Sequence, residues 1–191
     1  MKTLTLWQIA MLPWYLFLGY WLVSAFRVKI TKVEESRLSR LETTVLVGLA
    51  FVLLFSHRLR DGWLGMRFAP ASSALADWGI GLSFAGVAIA IWARYVLGEY
   101  WSARVTLKVD HKLIRSGLYA YIRHPIYTGL LLAMLGTALV VGEWHAVLGV
   151  LLGVVAISRK ALKEELLLST EFGTEYQEYR RRTGFLLPHF H

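Results

Sequence analysis

The 191-residue sequence contains no cysteine. A disulfide framework, a thiolate metal site and a cysteine nucleophile are therefore excluded. Charged residues are also scarce, at 18% of the chain, which is unusual for a soluble domain. The sequence is instead rich in apolar residues, since 56% are hydrophobic and eight are Trp. The composition therefore indicates a protein embedded in a lipid bilayer rather than a water-soluble one.

The apolar residues are gathered into five uncharged blocks rather than spaced along an amphipathic helix or strand. The blocks are Leu4–Phe26, Thr43–His57, Trp78–Ala93, Ile126–Gly142 and Trp144–Ser158. A spanning helix needs about 20 residues, so the shorter blocks reach across only if flanking charges snorkel to the headgroups. The flanking charges that we expect to snorkel are Glu42, Arg58, Arg94 and Arg159. The alternative for each short block is a re-entrant or buried helix.

We predict an all-α, polytopic integral membrane protein with about five transmembrane helices. A tight helical hairpin formed by the last two blocks and a cytoplasmic helical tail complete the predicted fold. The first block is longer than a signal-peptide core and lacks a small-residue cleavage site, so we expect it to be retained. No repeat or Pro/Gly/Ser-rich linker divides the chain. We therefore predict one domain over residues 1–191, with N-terminal membrane helices in 1–98 and a cofactor-binding catalytic region in 99–191.

The net charge is +8, and the Lys and Arg residues that produce it lie between and after the apolar blocks. Their placement indicates membrane topology rather than nucleic-acid binding. Five Lys or Arg residues lie in 27–40, five more lie in 104–123, and the tail is also basic. The turn at residues 142–144 has no positive charge. Residues 27–40, 104–123 and the tail are therefore predicted to be cytoplasmic, and the turn to face outward. One conflict is the supposedly outer connection from Arg58 to Asp77, which holds three Arg residues.

Small residues recur four apart in the last two blocks, which lets helices pack closely in lipid. They are Gly129, Ala133 and Thr137, and then Gly149 and Gly153. Gly79, Gly81 and Gly86 lie inside an apolar block rather than after a strand. We interpret them as packing residues and not as the nucleotide-binding loop of a soluble methyltransferase.

A polar stretch, His111–Gly129, separates two of the apolar blocks. Pro125 favours the first turn of a helix and disfavours helix at the preceding residue, so Arg123 and His124 should lie at the mouth of the fourth membrane helix. A helix N-terminus beside an arginine suits a carboxylate or a phosphate. The alternative is a basic juxtamembrane turn that contacts only lipid phosphates.

A second polar stretch, Arg159–Tyr179, predicts a helix leaving the membrane, a turn at Phe172–Gly173 and an amphipathic helix. The adjacent Glu164 and Glu165 point about 100° apart, so we expect only one of them to face a given cavity. The alternative is that both are solvent-exposed partners of Lys160 and Lys163.

The string RHPIYTG, followed by a hairpin, a Glu-Glu pair and FGTEYQEY, resembles the isoprenylcysteine carboxyl methyltransferase family and its bacterial phospholipid-methyltransferase-like relatives. The resemblance covers roughly Trp101 to Pro188. It implies S-adenosyl-L-methionine as the methyl donor and a lipophilic acceptor that enters from the bilayer. It also implies an active site on the cytoplasmic face of a cell membrane, which we expect to be prokaryotic.

The resemblance assigns roles to individual residues, and no metal ligand is among them. The cofactor-binding residues that it implies are His111, Lys112, Leu113, Ile114, Gly117, Tyr119, Arg123, His124, Pro125, Ile126, Tyr127, Glu164 and Glu165. Arg123 and Glu164 are the implied catalytic residues. Arg159 and Lys160 are the implied substrate-binding residues. Lys160 stands where the animal enzymes are expected to have Arg, so the acceptor stays open between a prenylcysteine carboxylate, a lipid headgroup and a small thiol.

Two other functions fit the same pattern. One is an NADPH-dependent membrane reductase of the sterol-reductase type, which also needs an arginine-rich pocket. The other is a non-catalytic lipid-binding membrane protein, in which the polar stretch would bind headgroups. If the acceptor of a methyl group were an amine, Glu164, Glu165 or His124 would be the candidate base. The sequence does not specify the oligomeric state.

Overall fold

The computed structural model describes residues 5–25, 31–34, 36–60, 62–101, 106–108 and 112–189. His111 lies outside the described residues. These residues form six α-helices: α1 (Leu6–Ser24), α2 (Arg37–Phe55), α3 (Ser73–Leu97), α4 (Pro125–Val141), α5 (Trp144–Phe172) and α6 (Thr174–Arg182). Two short strands, β1 (Thr31–Glu34) and β2 (Thr106–Lys108), pair antiparallel. Four short 3₁₀ turns lie at His57–Arg60, Trp63–Gly65, Gly98–Tyr100 and Gly117–Ala120.

The prediction of an all-α polytopic membrane protein is confirmed. Helices α1, α2, α3 and α5 are long and apolar enough to cross a membrane, and α4 is a shorter apolar helix of 17 residues. The small β1–β2 ribbon was not predicted, because neither strand shows an alternating pattern long enough to detect. The predicted helical hairpin is α4–α5, and the predicted turn at Gly173 separates α5 from α6.

Local sequence signals explain where these helices begin. Thr5 and Gln8 form a reciprocal capping box at the start of α1, and Ser36 caps α2 by accepting from the Ser39 amide. Pro125 is the first residue of α4, as predicted, and His124 is its N-cap residue. Helix α5 continues without a break past the end of its apolar block to Phe172. It therefore carries the second polar stretch directly from the membrane segment.

Helices α3 and α4 are in close contact through facing glycines. A Cβ atom on Gly86 would collide with the backbone at Gly129 and Ala133, and one on Gly79 would collide with Gly136. Gly149 and Gly153 likewise pack against α2 and Met134. The predicted packing role is therefore supported for most of these residues. Gly81 is an exception, because no described atom beyond its own stretch of helix lies within 4 Å of a Cβ built there.

The bundle has two ends, which we call the site end and the turn end. The site end holds the last turns of α1 and α3, the first turns of α2 and α4, and the part of α5 after Arg159. The turn end holds the opposite helix termini, including Gly142, Glu143 and His145. There, Nη1 of Arg67 donates to the carbonyl of Val141 at the C-terminus of α4, at 3.2 Å. This contact gives a structural reason for a positive charge in the Arg58–Asp77 connection.

One of the flanking charges, Arg94, does not behave as predicted. Arg94 is only 2% exposed, so it lies inside the bundle instead of reaching toward the headgroups. Arg159 forms an ion pair with Glu42 of α2, and Lys163 contacts the other oxygen of the same carboxylate at 3.1 Å. These charged side chains bind groups on neighbouring helices. Such contacts cannot be predicted from the sequence of one apolar block alone.

Candidate functional site

The first turn of α4 is covered by residues 183–189, which follow α6 and which we call the chain end. The amides of Arg123 and His124 donate to the carbonyls of Gly184 and Phe185, at 2.9 and 3.3 Å. In return, the amide of Gly184 donates to the carbonyl of Tyr121 at 3.0 Å. These bonds form a short parallel pairing around Ile122 and Gly184. The segment after α6 therefore lies directly against the predicted mouth of α4.

Arg123 forms a buried ion pair with Glu165. Its Nε lies 2.5 Å from Oε1 of Glu165, and the two side chains are 9% and 5% exposed. Its Nη1 donates to the carbonyls of Thr183 and, at 3.2 Å, Arg180. Arg123 was predicted to bind an anionic ligand group. In the structure its Nε and Nη1 join α4, α5 and the chain end, and the binding of an anionic group stays a prediction.

Glu164 and Glu165 both approach the ring of His124. Nδ1 of His124 lies 3.7 Å from Glu164 Oε2, and Nε2 lies 3.4 Å from Glu165 Oε1. Both carboxylates therefore lie beside one imidazole, because its two nitrogens lie on different edges. The expectation that only one of them faces a given cavity stays a prediction. Of the two lysines in the alternative prediction, Lys160 and Lys163, Lys163 contacts Glu42 of α2.

Tyr127 connects Glu164 to a stack of rings. Its hydroxyl donates to Glu164 Oε1 at 2.6 Å, and its ring stacks on His124 with centroids 5.5 Å apart and planes 11° apart. The rings of Phe185 and His124 are nearly perpendicular, with centroids 5.3 Å apart. Glu164 remains partly exposed, at 22% of its side chain, whereas Glu165 is buried. Glu164 is therefore the carboxylate of this pair that a ligand can reach.

The two predicted substrate-binding residues point in different directions. Nζ of Lys160 lies 5.4 Å from the centre of the Tyr127 ring, a cation–π contact beside Glu164. Arg159 instead contacts Glu42 on α2. Consecutive residues on a helix differ by about 100°, which accounts for the separation. Lys160 therefore adjoins the cluster and Arg159 does not.

Tyr119 packs beside the first turn of α4. It belongs to a buried group with Ala93 and Ile126, against which Trp21, Ile114 and Tyr127 also pack. Burial raises the pKa of the Tyr119 phenol, so the hydroxyl stays protonated at neutral pH. Gly117 begins the 3₁₀ turn with a φ of +60°, a conformation that favours glycine. Of the preceding predicted residues, Lys112 is exposed and Leu113 is half-buried.

The sequence analysis predicted no role for the tyrosines of α6, Tyr176 and Tyr179, although both lie in the FGTEYQEY motif. Tyr179 donates its hydroxyl to the carbonyl of Tyr119 at 2.7 Å. Tyr176 is 1% exposed. Their spacing of three residues on an amphipathic helix was the available signal that both face inward.

Two buried polar atoms near Glu165 have no hydrogen-bond partner among the described residues. They are Nε2 of His124 and the hydroxyl of Tyr176. The ion-pair distance from Nε2 to Glu165 is short, but its geometry is not that of a hydrogen bond. Because nearly all buried polar groups in proteins are hydrogen-bonded, these two atoms have a hydrogen-bonding capacity that the described residues do not use.

Comparisons with known proteins give one family match and several similar proteins. The sequence model of the isoprenylcysteine carboxyl methyltransferase (ICMT) family matches residues 79–169. The protein-S-isoprenylcysteine O-methyltransferase of Schizosaccharomyces pombe is 35% identical over 82 residues, covering 41% of this chain and 34% of that protein. The probable protein-S-isoprenylcysteine O-methyltransferase of Oryza sativa subsp. indica is 34% identical over 86 residues, covering 44% of this chain and 45% of that protein.

A third relative is the cobalt-zinc-cadmium resistance protein CzcN of Cupriavidus metallidurans. It is 32% identical over 139 residues, which cover 71% of this chain and 56% of that protein. The chain thus spans about a third to somewhat more than half of the length of the relatives it matches. The family match contains the first turn of α4 and both glutamates of α5, and it leaves out α1, α2 and α6.

Proposed function

We propose, from the match of residues 79–169 to the isoprenylcysteine carboxyl methyltransferase family, that this protein transfers a methyl group from S-adenosyl-L-methionine to a lipophilic acceptor at the membrane surface. The observation that carries the proposal is the cluster at the start of α4. It combines a reachable carboxylate, Glu164, with two buried polar atoms, on His124 and Tyr176, that make no hydrogen bond to any described residue.

The chemistry of this cluster fits the methyl donor. S-adenosyl-L-methionine has a cationic sulfonium, an amino group, a carboxylate, ribose hydroxyls and an adenine ring. Glu164 suits a cationic group, and the parallel rings of His124 and Tyr127 suit a flat or cationic one. Nε2 of His124 and the Tyr176 hydroxyl can each bond to a polar atom. Arg123 supports the site indirectly by holding Glu165 and the chain end.

The residues around the cluster meet the needs of methyl transfer. When bound, the donor supplies a methyl carbon activated by the sulfonium; the acceptor lone pair forms the new bond as the sulfur–methyl bond breaks. An in-line displacement of this kind requires alignment and exclusion of water more than a strong base. The ion pair of Arg123 with Glu165 fixes the start of α4 against α5. Phe185 and the chain end cover one side of the His124 ring.

The acceptor is proposed to be lipophilic and to contact Lys160 as it reaches the cluster. Lys160 is the predicted substrate-binding residue that adjoins the cluster, through the ring of Tyr127. Its single ammonium group can attract a carboxylate or a phosphate but lacks the planar fork of arginine. A prenylcysteine carboxylate and a lipid headgroup both remain compatible with it. If the acceptor were an amine, His124 with Glu164 would be the candidate acceptor of its proton.

The site end is proposed to face the cytoplasm. Two basic connections, at residues 27–40 and 104–123, join helices at this end. The basic tail follows the membrane segment of α5 at the same end. At the turn end, Arg67 is bonded to a helix C-terminus. The distribution of the remaining positive charge therefore supports a cytoplasmic site end.

Calorimetric titration of the detergent-purified protein with S-adenosyl-L-methionine and with NADPH tests the proposed donor. We expect saturable binding of S-adenosyl-L-methionine and none of NADPH. Binding of NADPH alone would favour a membrane reductase, and binding of neither would favour a lipid-binding protein. Transfer of a radiolabelled methyl group into lipid and small-molecule fractions would then identify the acceptor class.

A further inference from the structure

Arg94 is a buried cation that the proposed chemistry does not use. It lies in the last turn of α3 and is 2% exposed. Within the described residues it pairs with no carboxylate, and its Nε has no hydrogen-bond partner. Burying a charge without a counter-ion is costly, so its position requires compensation from other groups.

Two helix ends supply this compensation. Nη1 of Arg94 donates to the carbonyl of Gly98 at 2.6 Å, just after α3, and Nη2 donates to the carbonyl of Ser24 at 2.8 Å, at the end of α1. Carbonyls at helix C-termini lack partners within the helix and have a partial negative charge. One guanidinium therefore binds the C-termini of α1 and α3 together.

Aromatic contacts continue from this junction to the site. The guanidinium of Arg94 lies 4.5 Å from the centre of the Trp101 ring, and Trp101 meets Trp21 of α1 edge-on at 5.9 Å. Trp21 in turn packs against the buried group that contains Tyr119 and Ile126. Helix α1 lies outside the residues that match the family, yet it contacts residues beside the proposed donor site.

We propose that Arg94 is a positioning residue that holds α1 against the site end, so that Trp21 supports the wall formed by Tyr119 and Ile126. The effect of this wall on donor affinity rests on the proposed function. The position of α1 relative to α3 does not rest on it. The two statements can therefore be tested separately.

Distances between spin labels test the position of α1. The chain has no cysteine, so labels can be attached to Cys introduced at Val23 and Tyr95, which are 73% and 75% exposed and lie at the ends of α1 and α3. In electron–electron double resonance, Arg94→Met should broaden or lengthen the distance distribution. Arg67→Met is the matched control, because it removes an arginine from a helix C-terminus at the turn end. An unchanged distribution in Arg94→Met would overturn the proposal.

Donor titration of the same variants separates positioning from stability. Arg94→Met should weaken S-adenosyl-L-methionine binding by about tenfold, the scale of one lost charged hydrogen bond. Arg94→Lys, which can bind one of the two carbonyls, should fall between wild type and Arg94→Met. Trp21→Leu should weaken binding with the bonds of Arg94 intact. Equal donor affinity in wild type and both Arg94→Met and Trp21→Leu would contradict the positioning role. If the wild type binds no donor, the proposed function fails and the label distances alone decide the role of Arg94.

Discussion

The two ends of the bundle each contain a buried histidine beside glutamate, but they differ in how completely their polar atoms are bonded. At the turn end, His145 Nδ1 lies 2.6 Å from the carbonyl oxygen of Leu53 and Nε2 lies 2.9 Å from Glu143. At the site end, Nε2 of His124 is buried without a hydrogen bond among the described residues. The same residue types are therefore used in two different ways.

This difference separates a structural cluster from a candidate site. His145 connects α5 to α2 through the carbonyl of Leu53, so both of its nitrogens contribute to packing. Within the described residues, the unpartnered buried atoms of Arg94, His124 and Tyr176 lie at the site end and none lies at the turn end. Unsatisfied buried groups cost stability, and such a cost is commonly found where a ligand binds. Substitutions at the two ends should therefore have different consequences.

The largest effect is expected for Arg123→Ala. It leaves Glu165 buried without its partner and removes the bonds to the chain end, so we expect a loss of about 3–5 kcal/mol in the free energy of unfolding. Donor binding should be lost as well. Thermal unfolding in detergent, followed by titration of the folded protein, measures both. A variant as stable as wild type would contradict the role of Arg123 as the junction of α4, α5 and the chain end.

The next effect compares one glutamate from each end. Glu164→Gln should weaken donor binding by roughly 10- to 100-fold, because it removes a charge-assisted contact while the amide can still accept from Tyr127. Glu143→Gln should lower the melting temperature and leave donor affinity unchanged. Calorimetric titration and thermal unfolding of both variants provide the comparison. The opposite pattern would mean that the turn end, rather than the site end, binds the donor.

A smaller effect is expected for Lys160→Ala. It should reduce turnover of the acceptor by about tenfold, the scale of one lost charged contact, with donor affinity nearly unchanged. Arg159→Ala is the matched control, because Arg159 is adjacent in sequence but contacts Glu42 instead. Steady-state rates at saturating donor distinguish the two variants. A collapse of donor binding in Lys160→Ala would place Lys160 in the donor site.

The smallest effects concern the tyrosines of α6. Tyr176→Phe removes a hydroxyl that makes no hydrogen bond to the described part of the chain, so it should not lower stability but should weaken donor binding a few-fold. Tyr179→Phe removes a buried hydrogen bond to Tyr119 and should cost about 1 kcal/mol of stability. Chemical denaturation and donor titration measure the pair. Lower stability in Tyr176→Phe would indicate that its hydroxyl is already bonded within the folded protein.

The sequence predicted the parts of this fold that depend on local patterns. Apolar blocks located the membrane helices, Pro125 located the start of α4, and Gly173 located the turn before α6. Contacts between distant segments could not be predicted in this way. Whether Arg94 reaches lipid headgroups or a helix end depends on where α1 lies, and the approach of both glutamates to His124 depends on how α5 crosses α4. No sequence motif predicts that residues 183–189 pack over the first turn of α4, because the hydrogen bonds that hold them there join backbone groups.

Titration of S-adenosyl-L-methionine into wild type, Glu164→Gln and Glu143→Gln tests the central claim most directly. We expect saturable binding to wild type and to Glu143→Gln, with affinity lower by roughly 10- to 100-fold in Glu164→Gln alone. Absence of binding to the wild-type protein, or equal affinity in all three proteins, would contradict a methyl-donor site at the start of α4.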